Sequence, residues 1–358
     1  MIFLLVAVTI YSLTHYYLYR NLIQVFRPGF LPSLILGILF ILLGASFFLS
    51  RIFHDTWLPI QWIAYTWFGI VFITFTVLLL KDILRIFFPS YSLLLTRGAL
   101  VISLILILVS LLQGLRPPVL REFTIQRIQP QSGQGAVRLV HLSDLHLQAL
   151  TSTRWVTSLV DRVNELDPDL VLITGDLLDD RSSKLQEFIP ILRQMVARHG
   201  VWAIPGNHDF YVGIDRFESF SEEAGIHTLR NSVIELPELG VRLAGLDDQT
   251  ARQMGLPLPS LKDVLGDNPD HLETILLTHR PDQVDPAVRL NVDLVLSGHL
   301  HAGQIPPMDI IIFSAFKYPY GLYTIGSKHA FTTAGTGWWG PRMRLFLPSE
   351  LVVLTLNP

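Results

Sequence analysis

Read as a string of apolar and polar positions, the chain changes character near residue 116. Before that point, four mostly apolar stretches occupy roughly 2–19, 30–50, 60–80 and 98–115. Each is long enough for a helix that crosses a bilayer, which needs about 20 such residues. The second reads FLPSLILGILFILLGASFFLS and the fourth GALVISLILILVSLLQG. Charged residues fall only between the stretches: Arg20, Arg27, Arg51, Asp55, Lys81, Asp82, Arg85 and Arg97. Trp57, Trp62, Tyr65 and Trp67 cluster around the start of the third, as interfacial aromatics do. A cleaved signal peptide would explain only the first stretch, and no small-residue cleavage site follows it. Inside the spans the polar residues are few: Thr9, His15, Gln61, Thr66, Thr74 and Thr76. No carboxylate or basic group lies in mid-span, where an ion or proton path would need one. His15, near a helix end, reads as interfacial, and residues 1–116 read as a four-helix anchor.

Loops one and three contain Arg20, Arg27, Lys81, Arg85 and Arg97, and loop two contains only Arg51. The excess of positive charge on cytoplasmic loops then places both termini outside. Arg116, Arg121 and Arg127 count the other way, five against four, so the balance leans toward an extracytoplasmic C-terminal domain. The expectation is a multi-pass protein of the plasma or inner membrane.

The pattern after residue 116 is that of a water-soluble domain, residues 117–358. Pro117 and Pro118 stop the fourth helix. Residues 119–128 have strand composition, and QPQSGQG reads as a surface turn. Short apolar runs at 169–174, 201–204, 274–278 and 293–297 are bounded by Gly, Pro or Asp and suit strands buried on both faces. Segments 152–166 and 184–198 fit helices between them. The tail, with GLYTIG, HAFTTAG and ELVVLTL, suggests antiparallel strands. An α/β sandwich of mixed sheets covered by helices follows.

Composition sharpens this division. Half of the 358 residues are hydrophobic and the mean hydropathy is +0.43, which a soluble enzyme seldom reaches. The net charge of −3 gives no basis for nucleic-acid binding. The absence of cysteine excludes disulfides and thiolate metal ligands and leaves the redox compartment open.

Chemistry collects at the ends of the apolar runs. LVHLSDLH ends in Asp144 and His146, and LVLITGDLLDD in Asp176 and Asp179. WAIPGNHDF ends in Asn207, His208 and Asp209, ILLTHRPD in His279, and LVLSGHLHAG in His299 and His301. In an α/β sheet such carboxyl ends lie side by side, where ligands bind. So many carboxylates and imidazoles at a core edge are intolerable without cations. Oxygen and nitrogen donors without sulfur suit Mn, Fe, Zn or Mg and do not choose among them.

The ordered blocks Asp-x-His, Gly-Asp-x-x-Asp, Gly-Asn-His-Asp, a single His and Gly-His-x-His, across 144–301, resemble those of the calcineurin-like binuclear metallophosphoesterases. The layout is similar to membrane-attached members with an N-terminal helical anchor. The resemblance implies an αββα sandwich and two divalent metal ions. It implies that Asp144, His146 and His301 hold one ion, Asn207, His279 and His299 the other, and that Asp176 bridges both. Two such ions, roughly 3.5–4 Å apart, activate water and clamp a phosphoryl oxygen. The resemblance makes His208 the proton donor to the leaving oxygen, with Asp179 and Asp209 orienting imidazoles or loops.

Other residues carry weaker signals. Arg280 and Asp282 are candidates for substrate contact. His141, on the strand just before the site, reads as a packed residue or as one that supports the site side chains from behind. His15, His54, His199, His227, His271 and His329 match no block and read as surface or core. Residues 247–272 suggest a modest rim. Residues 303–323 are apolar for a loop; Ile310, Ile311, Ile312, Phe313 and Phe316 fit an acyl-chain pocket, a membrane-dipping segment or a buried strand edge. Trp338 and Trp339 read as interfacial or packed. The expected function is hydrolysis of a phosphodiester or pyrophosphate bond by metal-activated hydroxide, in a substrate linked to the membrane or cell envelope. A phosphomonoesterase or phosphoprotein phosphatase of the same fold, or a non-catalytic metal-binding module, are the alternatives.

Overall fold

The computed structural model describes residues 2–52, 58–127, 135–268 and 272–358. His54, Asp55, Trp57, His271, the side chain of Arg51 and most of the turn expected at 129–135 lie outside the described residues. The chain divides into two compact units. The first comprises Met1–Arg116, Gly303–Ile311 and Gly340–Leu347; the second comprises Pro117–Ala302, Ile312–Trp339 and Pro348–Pro358.

The first unit holds α1 (Ile2–Phe26), α2 (Phe30–Ile52), α3 (Leu58–Phe87) and α4 (Ser92–Gly114). Among the described residues, three helical stretches are long and apolar enough to cross a membrane: Phe30–Ser50, Leu58–Phe87 and Pro89–Gly114. α1 is not one of them; Thr9, Ser12, Thr14, His15 and Asn21 interrupt its apolar run. Leu31, Ile35, Ile41 and Leu42 of α2, and Val101, Ile102, Leu104 and Ile105 of α4, are exposed, as lipid-facing side chains would be. Tyr17 meets Phe75, and His15 meets Phe40 and Trp67, so α1 runs alongside α3 and opposite to α2.

Two expectations for this region are corrected. His15 is not interfacial: it lies in the middle of α1, buried, with Trp67 Nε1 donating to its Nε2 at 2.9 Å. Its Nδ1 bonds the Tyr11 carbonyl at 2.8 Å, so both ring nitrogens are satisfied inside the bundle. Lys81, Asp82 and Arg85 are not loop residues either. They lie within α3, and Arg97 lies within α4. A buried ammonium needs partners, and Lys81 finds Asn21 Oδ1 at 2.9 Å and Asp82 at 2.7 Å. Tyr17 donates to the same Asp82. Elsewhere in the unit, Ile305 and Met343 pack with Ile73 of α3. Arg342 Nε donates to the Gly114 carbonyl at 3.2 Å, placing a cation at the negative end of α4.

The second unit begins with β1 (Val119–Gln126), β2 (Val137–Leu142), α5 (Thr153–Glu165) and β3 (Leu170–Thr174). α6 (Ile189–Leu192), β4 (Val201–Ile204), α7 (Asn207–Val212), α8 (Ile214–Glu223) and β5 (His227–Thr228) follow. Next come β6 (Ser232–Leu236), β7 (Val241–Leu246), α9 (Thr250–Gln253), α10 (Leu261–Leu265) and β8 (Glu273–Thr278). Then come α11 (Val284–Arg289) and β9 (Leu294–Ser297); the division between units falls within α12 (Met308–Ala315). β10 (Gly321–Ile325), β11 (Lys328–Thr332) and β12 (Glu350–Asn357) complete the domain.

The strands form two six-stranded mixed sheets, ordered β1-β12-β2-β3-β4-β5 and β10-β11-β9-β8-β7-β6. Leu139, Leu170 and Ile204 of one sheet share a buried cluster with Leu243, Ile275 and Leu294 of the other. The outer face of the first sheet is covered by α5 and α8 through Val156, Leu159, Val163 and Phe217. The second is covered by α10 and α11 through Leu261, Val264, Val284 and Ala287. These four layers give a mixed-sheet α/β domain. The tail is only partly antiparallel: β10 pairs antiparallel with β11 and β12 with β2, but β11 runs parallel to β9 and β12 to β1. The helix expected over 184–198 is instead a 3-10 turn at Ser183–Glu187, the single turn α6 and loop. Pro190 is the reason, because its ring blocks a continuous helix through it.

One ion pair in the second unit is fully desolvated. Arg127 Nε contacts Glu273 Oε2 at 2.6 Å with both side chains buried, and Arg127 also donates to the Gly240 carbonyl at 2.9 Å. Removing one partner strands the other charge. Glu273→Gln should therefore destabilise the domain by about 3–5 kcal/mol. The double change Arg127→Met with Glu273→Leu should recover most of that loss. Chemical denaturation of the detergent-solubilised protein, followed by tryptophan fluorescence, measures both.

Candidate metal centre

Each candidate side chain stands just beyond the end of a strand. β2 leads to Asp144 and His146, β3 to Asp176 and Asp179, β4 to Asn207, His208 and Asp209, β8 to His279, and β9 to His299 and His301. Because β2, β3 and β4 run parallel, and β7, β8 and β9 do likewise, their C-terminal ends open together.

The donor atoms converge. His146 Nε2 lies 3.1 Å from His301 Nε2, and His301 Nε2 lies 3.5 Å from Asp144 Oδ1. His279 Nε2 is 3.1 Å from Asn207 Oδ1, 3.2 Å from His299 Nδ1 and 3.2 Å from Asp176 Oδ2. The same Asp176 Oδ2 is 3.7 Å from His146 Nε2, so one carboxylate oxygen faces both sets. Donors sharing an ion at about 2.0–2.2 Å sit about 3.0–3.5 Å from one another. The spacings therefore fit divalent cations, and Asp144-His146-His301 and Asp176-His279-His299 each gather ligand atoms within 4.8 Å. A further group, His146-Asp179-His208, meets the same criterion.

The surrounding contacts hold these donors. Asp179 Oδ1 contacts His146 Nδ1 at 3.3 Å and His208 Nδ1 at 2.5 Å. Asp209 accepts backbone N–H bonds from Gly206, Leu177 and Leu178 at 2.8, 3.2 and 2.8 Å, tying the loop after β4 to the loop after β3. The His208 backbone N–H donates to Asp176 Oδ1 at 2.8 Å. Asp144 accepts from the His299 N–H at 3.1 Å to each oxygen.

Two motif glycines are spatial requirements. A Cβ on Gly206 would run into Asp176 Oδ1, and one on Gly298 into Ser143 Oγ and Asp144 Oδ2. Asp144, His146, Asp176, His299 and His301 all have positive φ, between 46° and 69°. Such left-handed conformations at non-glycine residues cost about 1–3 kcal/mol each and persist only where the surroundings impose them.

The electrostatics follow from burial and crowding. Burial raises the Asp144 carboxyl, although His279 opposes it. Burial also works against the Asp176 carboxylate, but His279, His208 and His146 outweigh it and hold the group well below the usual range. Burial depresses His279 less than Asp176 and Asp144 raise it, to about 10. His208 is likewise lifted to about 9 by Asp176 and Asp179 against the cost of burial. His299, desolvated and beside His279 and Arg280, falls to about 3. Burial and the neighbouring Asp176 charge raise Asp209 to about 7.

Arg280 reaches this cluster. Its Nε donates to Asp248 Oδ2 at 2.6 Å and another guanidinium N–H to His299 Nε2 at 2.9 Å. Asp248 was not among the sequence candidates. Its signal was the missed strand β7, which ends just before Asp247 and Asp248 as the other site strands end before their own polar residues. Asp282 is not in any of the three groups. Neither is His141, which is buried with Nε2 2.8 Å from Thr174 Oγ1. His199 pairs with Glu238, His227 packs on Trp202, and His329 lies on β11. Trp338 packs edge-on to Trp155, and Trp339 approaches His208, with ring centroids 6.2 Å apart.

A two-sheet α/β domain that gathers carboxylate, amide and imidazole donors at its strand ends has the donor set of a divalent-metal centre. Residues 137–303 match the calcineurin-like phosphoesterase family model. An "Uncharacterized metallophosphoesterase" of Aquifex aeolicus is 30% identical over 240 residues, 66% of this chain and 90% of that protein. One of the same description from Helicobacter pylori is 36% identical over 228 residues, covering 62% of this chain and 60% of that protein's own length. A "Transmembrane protein with metallophosphoesterase domain" of Danio rerio is 35% identical over 273 residues, 72% of this chain and 62% of that protein. The chain belongs to the calcineurin-like metallophosphoesterase family.

Where His279 Nε2 serves as a metal donor, a proton on it competes with the cation. With that imidazole raised to about 10 from an ordinary 6.5, metal uptake between these values should release a proton. Divalent-metal affinity of the apo protein should therefore rise with pH across this window, by up to about tenfold per unit for one proton released. Calorimetry in buffers of different ionisation enthalpy counts the protons. An affinity flat between pH 6.5 and 9 contradicts the assignment.

Proposed function

We propose that this protein is a membrane-anchored, two-metal phosphoesterase that cleaves a phosphodiester or pyrophosphate bond in a lipid-linked or envelope substrate. The observation that carries this reading is the position of Asp176 Oδ2 between His146 and His279. In this reading Asp144, His146 and His301 would hold one ion and Asn207, His279 and His299 the other, with Asp176 offering its carboxylate to both. The ions, when bound, supply an activated water and neutralise charge on the phosphoryl oxygens.

The protein's own residues then divide the remaining work. His208, pinned through Nδ1 by Asp179, donates a proton from Nε2 to the leaving oxygen. Asp209 keeps the loop bearing Asn207 and His208 against the loop bearing Asp176. Arg280, oriented by Asp248, offers a guanidinium N–H to a substrate oxygen. The functional boundary falls at 116/117, with residues 1–116 as anchor and 117–358 as catalytic domain. α1 acts as the fourth span. Arg20, Arg27, Lys81, Arg85 and Arg97 then mark the cytoplasmic end of the bundle, and the catalytic domain is extracytoplasmic.

The test uses the full-length protein in lipid nanodiscs with Mn²⁺, assayed on an aryl phosphodiester, an aryl phosphomonoester and a nucleotide-lipid pyrophosphate. The diester or pyrophosphate should be hydrolysed fastest. His208→Ala should lower kcat by about 10²–10⁴-fold with metal content unchanged, whereas Asp176→Asn should lose metal. Arg280→Ala should cost about 10–100-fold in kcat/KM, the worth of one charged hydrogen bond. A protein that holds two ions and hydrolyses none of these substrates would be a binding module instead, and a preference for the monoester would make it a phosphomonoesterase.

A further inference from the structure

The exposed face of α12 is apolar, the reverse of what water selects. Its sequence, MDIIIFSA, carries Asp309 in the first turn and no other charge. Met308, Ile310, Ile311 and Phe313 are 40–55% exposed, Phe316 just beyond the helix is 39% exposed, and Ile312 is the buried residue of α12. Side chains of this size grouped on one short surface helix mark an interaction face rather than ordinary surface variation.

What covers that face follows from the segment it continues. Gly303–Ile311 belongs to the same compact unit as the membrane-crossing helices. Ile305 packs with Ile73 of α3, and Pro307 lines a cavity with Phe68, Phe72 and Phe75 of that helix. Phe346, on the other segment of that unit, is 67% exposed. Thus Met308, Ile310 and Ile311, the exposed apolar residues of α12 within that unit, prolong its lipid-facing surface. Past its end, Lys317 is exposed and pairs with Asp285 at 2.9 Å, a charged boundary of the kind that sits at headgroup level.

We propose that α12 is a membrane-surface helix that lies in the bilayer interface, with Ile310, Ile311 and Phe313 in the acyl region and Lys317 among the headgroups. Its partner is the lipid bilayer itself. Only residues 302–307 separate α12 from His301, so a lipid-seated helix holds that loop within about 25 Å of chain reach from the headgroup layer. If the proposed phosphoesterase activity is correct, this favours substrates whose phosphate remains in the membrane.

The natural absence of cysteine makes the test direct. Ile311→Cys, Phe313→Cys and Lys317→Cys are each labelled with an environment-sensitive fluorophore in the full-length protein, in phosphatidylcholine–phosphatidylglycerol nanodiscs. Labels at 311 and 313 should emit at shorter wavelength, be quenched by doxyl-labelled lipid and resist aqueous iodide, and the label at 317 should respond to iodide. Labels at 311 and 313 that follow iodide overturn the proposal, as do labels shielded from both quenchers, which would mean a protein partner. Ile310→Ser with Phe313→Ser should lower hydrolysis of a bilayer-borne phosphodiester at least tenfold and leave a soluble aryl diester unchanged. Equal loss on both substrates argues against the membrane role. If the unaltered protein hydrolyses neither, the enzymatic reading fails while the quenching result still decides the placement of α12.

Discussion

Four carboxylates, Asp144, Asp176, Asp179 and Asp209, crowd the strand ends of one domain, and the cost of burying them away from water, with Asp176 adding repulsion at Asp144 and Asp209, is the constraint that shapes everything near them. Imidazoles answer part of it and backbone N–H groups another part, most visibly at Asp209, which accepts three such bonds. The remainder calls for cations. Loops that must bring charged groups this close need glycines where a methyl group would collide, and they force several site residues into left-handed backbone conformations. The double sheet is the frame that makes such crowding affordable, because its interior of Leu, Ile and Val holds the strand ends in fixed register.

The bundle faces the same difficulty on a smaller scale and answers it without an ion. Lys81 is enclosed between α1 and α3, yet Asn21 and Asp82 meet its ammonium, and Tyr17 meets Asp82 in turn. His15 is satisfied on both ring nitrogens. These closed networks hold helices together. The cluster in the α/β domain differs in kind, since neighbouring imidazole nitrogens such as those of His146 and His301 point at each other.

Much of the site was legible from sequence because its logic is local: an apolar run of strand length that stops at a glycine and a metal-binding side chain needs no knowledge of the rest of the chain. The buried strands β3, β4, β8 and β9 fell close to their expected ranges for that reason. What escaped depends on context. β7 is as buried as β8 beside it, but VRLAGL mixes Arg242 and glycine into the run, and so Asp248 was missed. The break in the helix over 184–198 is the exception, because Pro190 is a local signal already present in the residue order. The position of His15 depended on how far α1 continues past residue 19, which hydropathy alone leaves loose. Positive φ at Asp144 or His301 arises from tertiary packing and leaves no trace in residue order.

The place of β12 has a bearing on biogenesis. Residues 350–357 lie between β1 and β2, bonded to β1 in parallel and β2 in antiparallel fashion. β1 emerges directly after the last helix of the bundle, long before β12 is synthesised. Until then β1 has no neighbour within its sheet and the edge of β2 is bare, so β1 joins the first sheet only when β12 arrives between them.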